Sequence, residues 1–106
     1  MSKNAVLIDA TGVTGAQARA PFNVPRGAQG FRLHVVASVT GTASVQKLRT
    51  NSSPEVWDEI EGGSITLAAA TAVDAIFEGG GGEYGLVVTL DSSGDVYADF
   101  TEVGNK

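Results

Sequence analysis

Between Phe31 and Thr40 the chain alternates without a break. Phe31, Leu33, Val35, Ala37 and Val39 are apolar, and the residues between them include Arg32, His34, Ser38 and Thr40. A period of two puts the apolar set on one face of an extended strand, whereas a helix would scatter it around its circumference. The same period returns in Ala18, Ala20, Phe22 and Val24, in Ile65, Leu67 and Ala69, in Tyr84, Leu86, Val88 and Leu90, and in Val96, Ala98 and Phe100. Shorter strand-like runs are Ala5 to Ile8, Ala43 to Thr50 around Val45, Val56-Trp57, and Ala75 to Phe77. Pro21 cannot donate to a ladder, so its strand belongs at an edge or a bulge.

Turn chemistry separates these runs: Gly12–Gly15, Pro25-Arg26-Gly27, Gly41-Thr42, Asn51–Pro54, Gly62-Gly63, Gly79–Gly82 and Asp91-Ser92-Ser93-Gly94. The alanine-rich stretch from Leu67 to Ala75 reads as loop, because Thr66, Thr71 and Val73 are poor helix formers. Roughly eight short strands spaced about 8–12 residues apart argue for an all-β fold, a single antiparallel β-sandwich or jelly-roll-like domain. Two hairpins, Phe31 to Thr50 and Tyr84 to Val103, are expected to anchor it.

The 106 residues fit one domain, with residues 1–10 an N-terminal arm or edge strand, and 42% hydrophobic content suffices for one core. The net charge is −5, and the seven Lys and Arg residues are scattered. No basic stripe is present to meet phosphates, which argues against a nucleic-acid partner. The absence of cysteine excludes disulfides and thiolate metal sites and fits a reducing cytoplasm, or a particle assembled in one. The apolar run Ala5 to Ile8 is too short for a secretion leader, and no segment approaches the roughly 20 apolar residues of a membrane helix.

Several patterns imitate functional motifs. Val6 to Gly15 looks like the opening of a dinucleotide fold, but strand-like alternation and Pro21 follow where a helix is required, so no cofactor is expected. Asp91, Ser93, Asp95, Asp99 and Glu102 match calcium-loop spacing. Val96 stands where that loop needs glycine, and the strand alternation sends the carboxylates apart, so no metal is expected. His34 is the only histidine and sits on the outward face of its strand with no nucleophile motif nearby. Asn51-Ser52-Ser53 matches a glycosylation acceptor without a secretion signal to expose it. Trp57, the only tryptophan, has two readings: packing between sheets, or a sugar-stacking platform with Tyr84 and Tyr97. No catalytic residues are expected, and the chain does not read as an enzyme.

The order of features carries a resemblance. Pro25-Arg26-Gly27 leads into the Phe31–Thr40 strand, and Gly41-Thr42 into Ser44-Val45-Gln46-Lys47-Leu48. The Asn51–Pro54 loop, Trp57 and Ile60 follow, then Gly82-Glu83-Tyr84-Gly85-Leu86-Val87-Val88 and a last alternating strand. Over roughly residues 20–103 this resembles the small β-sandwich virion proteins of tailed bacteriophages. The loop here is Ser-Ser-Pro-Glu, where related chains often carry an Asp-Gly turn. The resemblance implies a non-enzymatic virion structural protein, assembled in the bacterial host cytoplasm. Its first expected role is a capsid decoration protein, a homo-oligomer bound to other virion proteins and above all to the major capsid protein. The alternatives are a neck, tail or fibre component, or a carbohydrate-binding adhesin module using Trp57. In the virion reading, Ala5, Val6, Leu7 and Ile8 are the expected partner interface, adding a strand to a neighbour's sheet edge.

Overall fold

A computed structural model describes residues 4–49, 53–78 and 81–103. The expected turn residues Asn51 and Ser52, with the glycosylation acceptor, lie outside the described residues, as do Gly79 and Gly80 of the glycine run. The described chain is all-β and antiparallel, with no helix. Its strands are β1 (Asn4–Ala16), β2 (Ala20–Val24), β3 (Gly30–Ala37), β4 (Gly41–Leu48), β5 (Trp57–Leu67), β6 (Val73–Glu78) and β7 (Gly82–Val103).

All seven strands join one hydrogen-bonded sheet. β7 is its spine: β3 and β4 pair along one side, β1 and β2 along the other. β6 then extends the sheet beyond β3, and β5 beyond β4. Successive strands thus form bent ribbons, β1–β2, β3–β4 and β5–β6, laid beside a bent β7. The breaks at residues 38–40 and 68–72 fall beside residues 91–95 of β7, with the Gly12 and Gly15 irregularities of β1 on its other side, making one crease across the sheet. The sheet curls at this crease, so Phe22 on β2 touches Phe31 on β3 and Phe100 at the far end of β7.

Neither expected hairpin forms. β3 and β4 do not pair with each other; they run in the same direction along β7, from Gly30 opposite Val103 to Lys47 opposite Tyr84. Gly41 is not a turn residue but a point of close approach, where a Cβ would collide with the Thr89 carbonyl oxygen. Asp91-Ser92-Ser93-Gly94 does not reverse the chain either. Its polar groups are taken up across strands: Thr40 Oγ1 donates to Asp91 Oδ2 at 2.9 Å and the Asp91 amide to the Thr40 carbonyl at 2.9 Å. The Ser38 amide donates to the Asp95 carbonyl at 2.9 Å, and the Asp95 amide to Ser38 Oγ at 2.9 Å. These bonds satisfy the groups that a tight turn would have used.

Glycine turns elsewhere become irregularities inside strands in the same way. β1 continues through Gly12 and Gly15, at φ 63° and 73°, where its pairing with β7 slips. β5 continues through Gly62, at φ 73°, and its pairing with β4 slips between Ser44 and Gln46. Positive φ with an extra residue is the signature of a β-bulge, and glycine adopts it without a Cβ clash. The expected strands at Val56-Trp57 and Ile65–Ala69 thereby merge into β5. Other expectations hold: Pro25-Arg26-Gly27 turns, with the Ala28 amide donating to the Pro25 carbonyl at 3.1 Å, and Pro21 lies on edge strand β2. The alanine stretch is a connection, turned at Ala70.

The core is graded from crease to mouth. Near the crease the inward residues are small or aliphatic: Ala37, Ala43, Val88, Leu90, Val96 and Leu67. Away from it lie Phe22, Phe31, Phe77, Tyr84 and Phe100, all buried. Phe31 has ring centroids at 5.2 Å (Phe22), 5.2 Å (Phe77) and 4.9 Å (Tyr84). Two halves that diverge from a crease leave a wedge, and only rings fill its wide end to interior density.

Candidate functional site

With the inward face filled, function falls to the outward face and the sheet edges. Ala5, Val6, Leu7 and Ile8 are not a free arm. They form the start of β1, with Ala5 opposite Phe100, Val6 opposite Asp99 and Ile8 opposite Ala98 on β7. Leu7 and Ile8 pack against the core, while Val6 stays 58% exposed. Among the described residues β1 pairs only with β7, so its other edge is the surface these residues offer.

Trp57 is not packed between layers. It begins β5 on the outward face, half-buried, opposite Leu48. Its ring covers Gly85 of β7, where a Cβ would press on the indole and on the Arg19 side chain. The Arg19 guanidinium lies over the ring at 4.4 Å, and Arg19 Nε donates to Gln46 Oε1 at 2.9 Å. Arg19, Gln46, Trp57 and Gly85 thus form one shelf from four separate segments. One face of the indole is already used by a cation–π contact. Tyr84 is in the core and Tyr97 is on the other half of the outward face, so the expected aromatic trio for sugar stacking is not assembled.

The other half of that face is acidic. His34 on β3 stands opposite Asp74 on β6 and Asp99 on β7, and its Nδ1 lies 2.9 Å from Asp74 Oδ1. The Tyr97 hydroxyl donates to the Asp99 carboxylate, which holds its pKa above the ordinary tyrosine value; burial adds to this, then the charges of Asp99 and Asp9. Ring edges of His34 and Tyr97 meet at 6.4 Å between centroids. The calcium-loop carboxylates do not converge. Asp91 is bound to Thr40, Asp95 Oδ1 accepts from the Gly12 amide at 3.0 Å, Asp99 holds Tyr97, and Glu102 is buried. Among the described residues no three or more His, Asp or Glu side chains are placed to share a metal ion.

Beside Tyr97 lies a largely apolar groove of about 350 Å³, between β1, β3, β7 and the β5–β6 connection. Arg19, Gln46 and Gly85 around Trp57, and the Asp9–Tyr97 row, were not foreseeable from spacing, since bulges in β1 and β5 shift the registers that join them. No protein-family model matches the chain, and no curated protein sequence is significantly similar to it.

Proposed function

We propose that the chain is a non-enzymatic structural protein of a tailed-phage virion, working as a capsid decoration protein that binds and stabilises the particle surface as an oligomer. The observation that carries this reading is the order of motifs from the Phe31 strand through Trp57 to Gly82-Glu83-Tyr84-Gly85. Its support in the fold is that these separated pieces pack together: Gln46, Trp57 and Gly85 share the outward shelf, and Phe31 meets Tyr84 in the core at 4.9 Å. On the outward face His34 engages Asp74 and Arg19 engages Gln46, contacts between separate segments that suit a rigid assembly module. Both margins of the sheet, β1–β2 and β5–β6, are edges among the described residues, and an edge can accept a neighbour's strand by backbone pairing.

The test is location. In a gradient of the particles made from the encoding genome, the protein should band with intact virions, and near-atomic imaging should place it in regular array on the major capsid protein. Recovery only in the soluble fraction sinks the reading. Density at the neck, tail or a fibre transfers it to that assembly.

A further inference from the structure

The groove beside Tyr97 has a composition that specifies its occupant. Its exposed floor is Val36, at the crease between β3 and β7; Ala37 and Val96, which border it, are buried with the core. Ala70 closes one side, held there by its amide donating to the Ala37 carbonyl at 2.7 Å. Tyr97 stands between Asp9 of β1 and Val36 of β3 in one cross-strand row, so a carboxylate, a phenol ring and an aliphatic surface follow one another across the groove. Asp95 is the second carboxylate of the lining, oriented by the Gly12 amide bonded to its Oδ1 at 3.0 Å. No Lys or Arg lines the groove. Asp99 adds a third negative charge next to Tyr97, where its carboxylate accepts the phenol hydrogen bond.

We propose that this groove receives an arginine side chain presented by a partner polypeptide. The aliphatic stem would lie on Val36 and Ala70, and the guanidinium between the Tyr97 ring and the carboxylates of Asp9 and Asp95. A guanidinium stacks on aromatic rings, bonds carboxylates in a fork, and loses less hydration than an ammonium on entering an apolar site. Lysine offers a point charge that the apolar floor would desolvate without a stacking return. A groove of about 350 Å³ is at the small end for ligand sites, which suits one side chain better than a whole cofactor. The fold already pairs the same chemistry once, in Arg19 over Trp57. The proposal does not depend on the virion reading: any partner with an exposed arginine fits it.

The test is titration of isotope-labelled protein, followed by amide resonances, with acetyl-Gly-Arg-Gly-amide and its lysine and citrulline counterparts. The arginine peptide should give saturable shifts centred on Ala10, Val36, Ala37 and Ala70. It should bind about tenfold more tightly than the lysine peptide, and the citrulline peptide should not saturate. Asp9→Asn, at an exposed position, should keep the spectrum of the fold and weaken the arginine peptide about tenfold. Tyr97→Leu should remove the preference for arginine over lysine. Equal binding of citrulline and arginine overturns the proposal. So do an unchanged Asp9→Asn titration, shifts spread over Asp58, Glu59 and Asp74 instead of the groove, and an absence of shifts.

Discussion

The two sides of β7 are built differently. On one side β3 pairs from Gly30 to Ala37 and β4 from Gly41 to Lys47, with no slip within either ladder. On the other side β1 slips three times between Val6 and Gly15. The regular side lies inside the sheet, covered beyond by β5 and β6, and a one-residue shift there would turn Leu33, Val35 and Val45 out of the core. The slipping side is an edge. There bulges cost little packing, and they interrupt the flat row of backbone groups that invites uncontrolled pairing. Register is therefore enforced where burial depends on it and relaxed where assembly has to be restrained.

Substitutions can break this contrast. The largest loss is expected on the regular side from Phe31→Ala, which empties the ring position touching Phe22, Phe77 and Tyr84. Denaturant titration should show about 3–5 kcal/mol of lost stability. Gly41→Ala should come next, at about 1–3 kcal/mol, because the new Cβ meets the Thr89 backbone and neither strand can retreat without leaving its ladder. On the edge side, Gly12→Ala has open space around the Cβ and pays only for its φ of 63°, about 1–2 kcal/mol. If Gly12→Ala proved costlier than Gly41→Ala, the contrast would be wrong.

Smaller effects sharpen it. Tyr97 should ionise above the ordinary tyrosine range, and Asp99→Asn should bring its midpoint back toward that range in an ultraviolet pH titration. Since the folded value is raised, any stability linked to Tyr97 is complete below the unfolded tyrosine value and fades as pH rises through the folded one. The smallest effect belongs to Asp58→Asn. It breaks the two-pronged contact with Arg49, whose Nη2 lies 2.8 Å from Asp58 Oδ1, but both side chains are exposed. Thermal unfolding should be unchanged within error.

Much of the fold is legible along the chain. The alternation of Phe31 to Ala37 and Tyr84 to Leu90 marks strands and their inward faces correctly, and Pro21 marks an edge. What fails is the meaning of the punctuation. Gly12, Gly15, Gly62 and the Asp91–Gly94 run carry the same local chemistry whether the chain reverses or merely bends. The choice is made by groups far away in sequence: Ser38 and Thr40 bind Asp95 and Asp91 and so carry β7 through its own turn signal without a reversal. The site suffers from the same cause. That His34 faces outward is readable from its strand, but its contact with Asp74 follows from β6 lying beside β3. Trp57 could be singled out by type alone. Its partners Arg19 and Gly85 reach it only because β7 carries both ribbons, which no local pattern announces.

β7 also imposes an order in time. β1, β2, β3 and β4 all hydrogen-bond to it, and every one of them leaves the ribosome first. Until Gly82 to Val103 has been made, β1 and β2 have no strand beside them, and β3 and β4 are paired on one side only. Such late, long-range closure belongs to slow-folding topologies, and it leaves strand edges open in the meantime. The slips in β1 then protect the nascent chain as well as the finished one: the strand that waits longest for its partner is also the one least able to pair cleanly with a stranger.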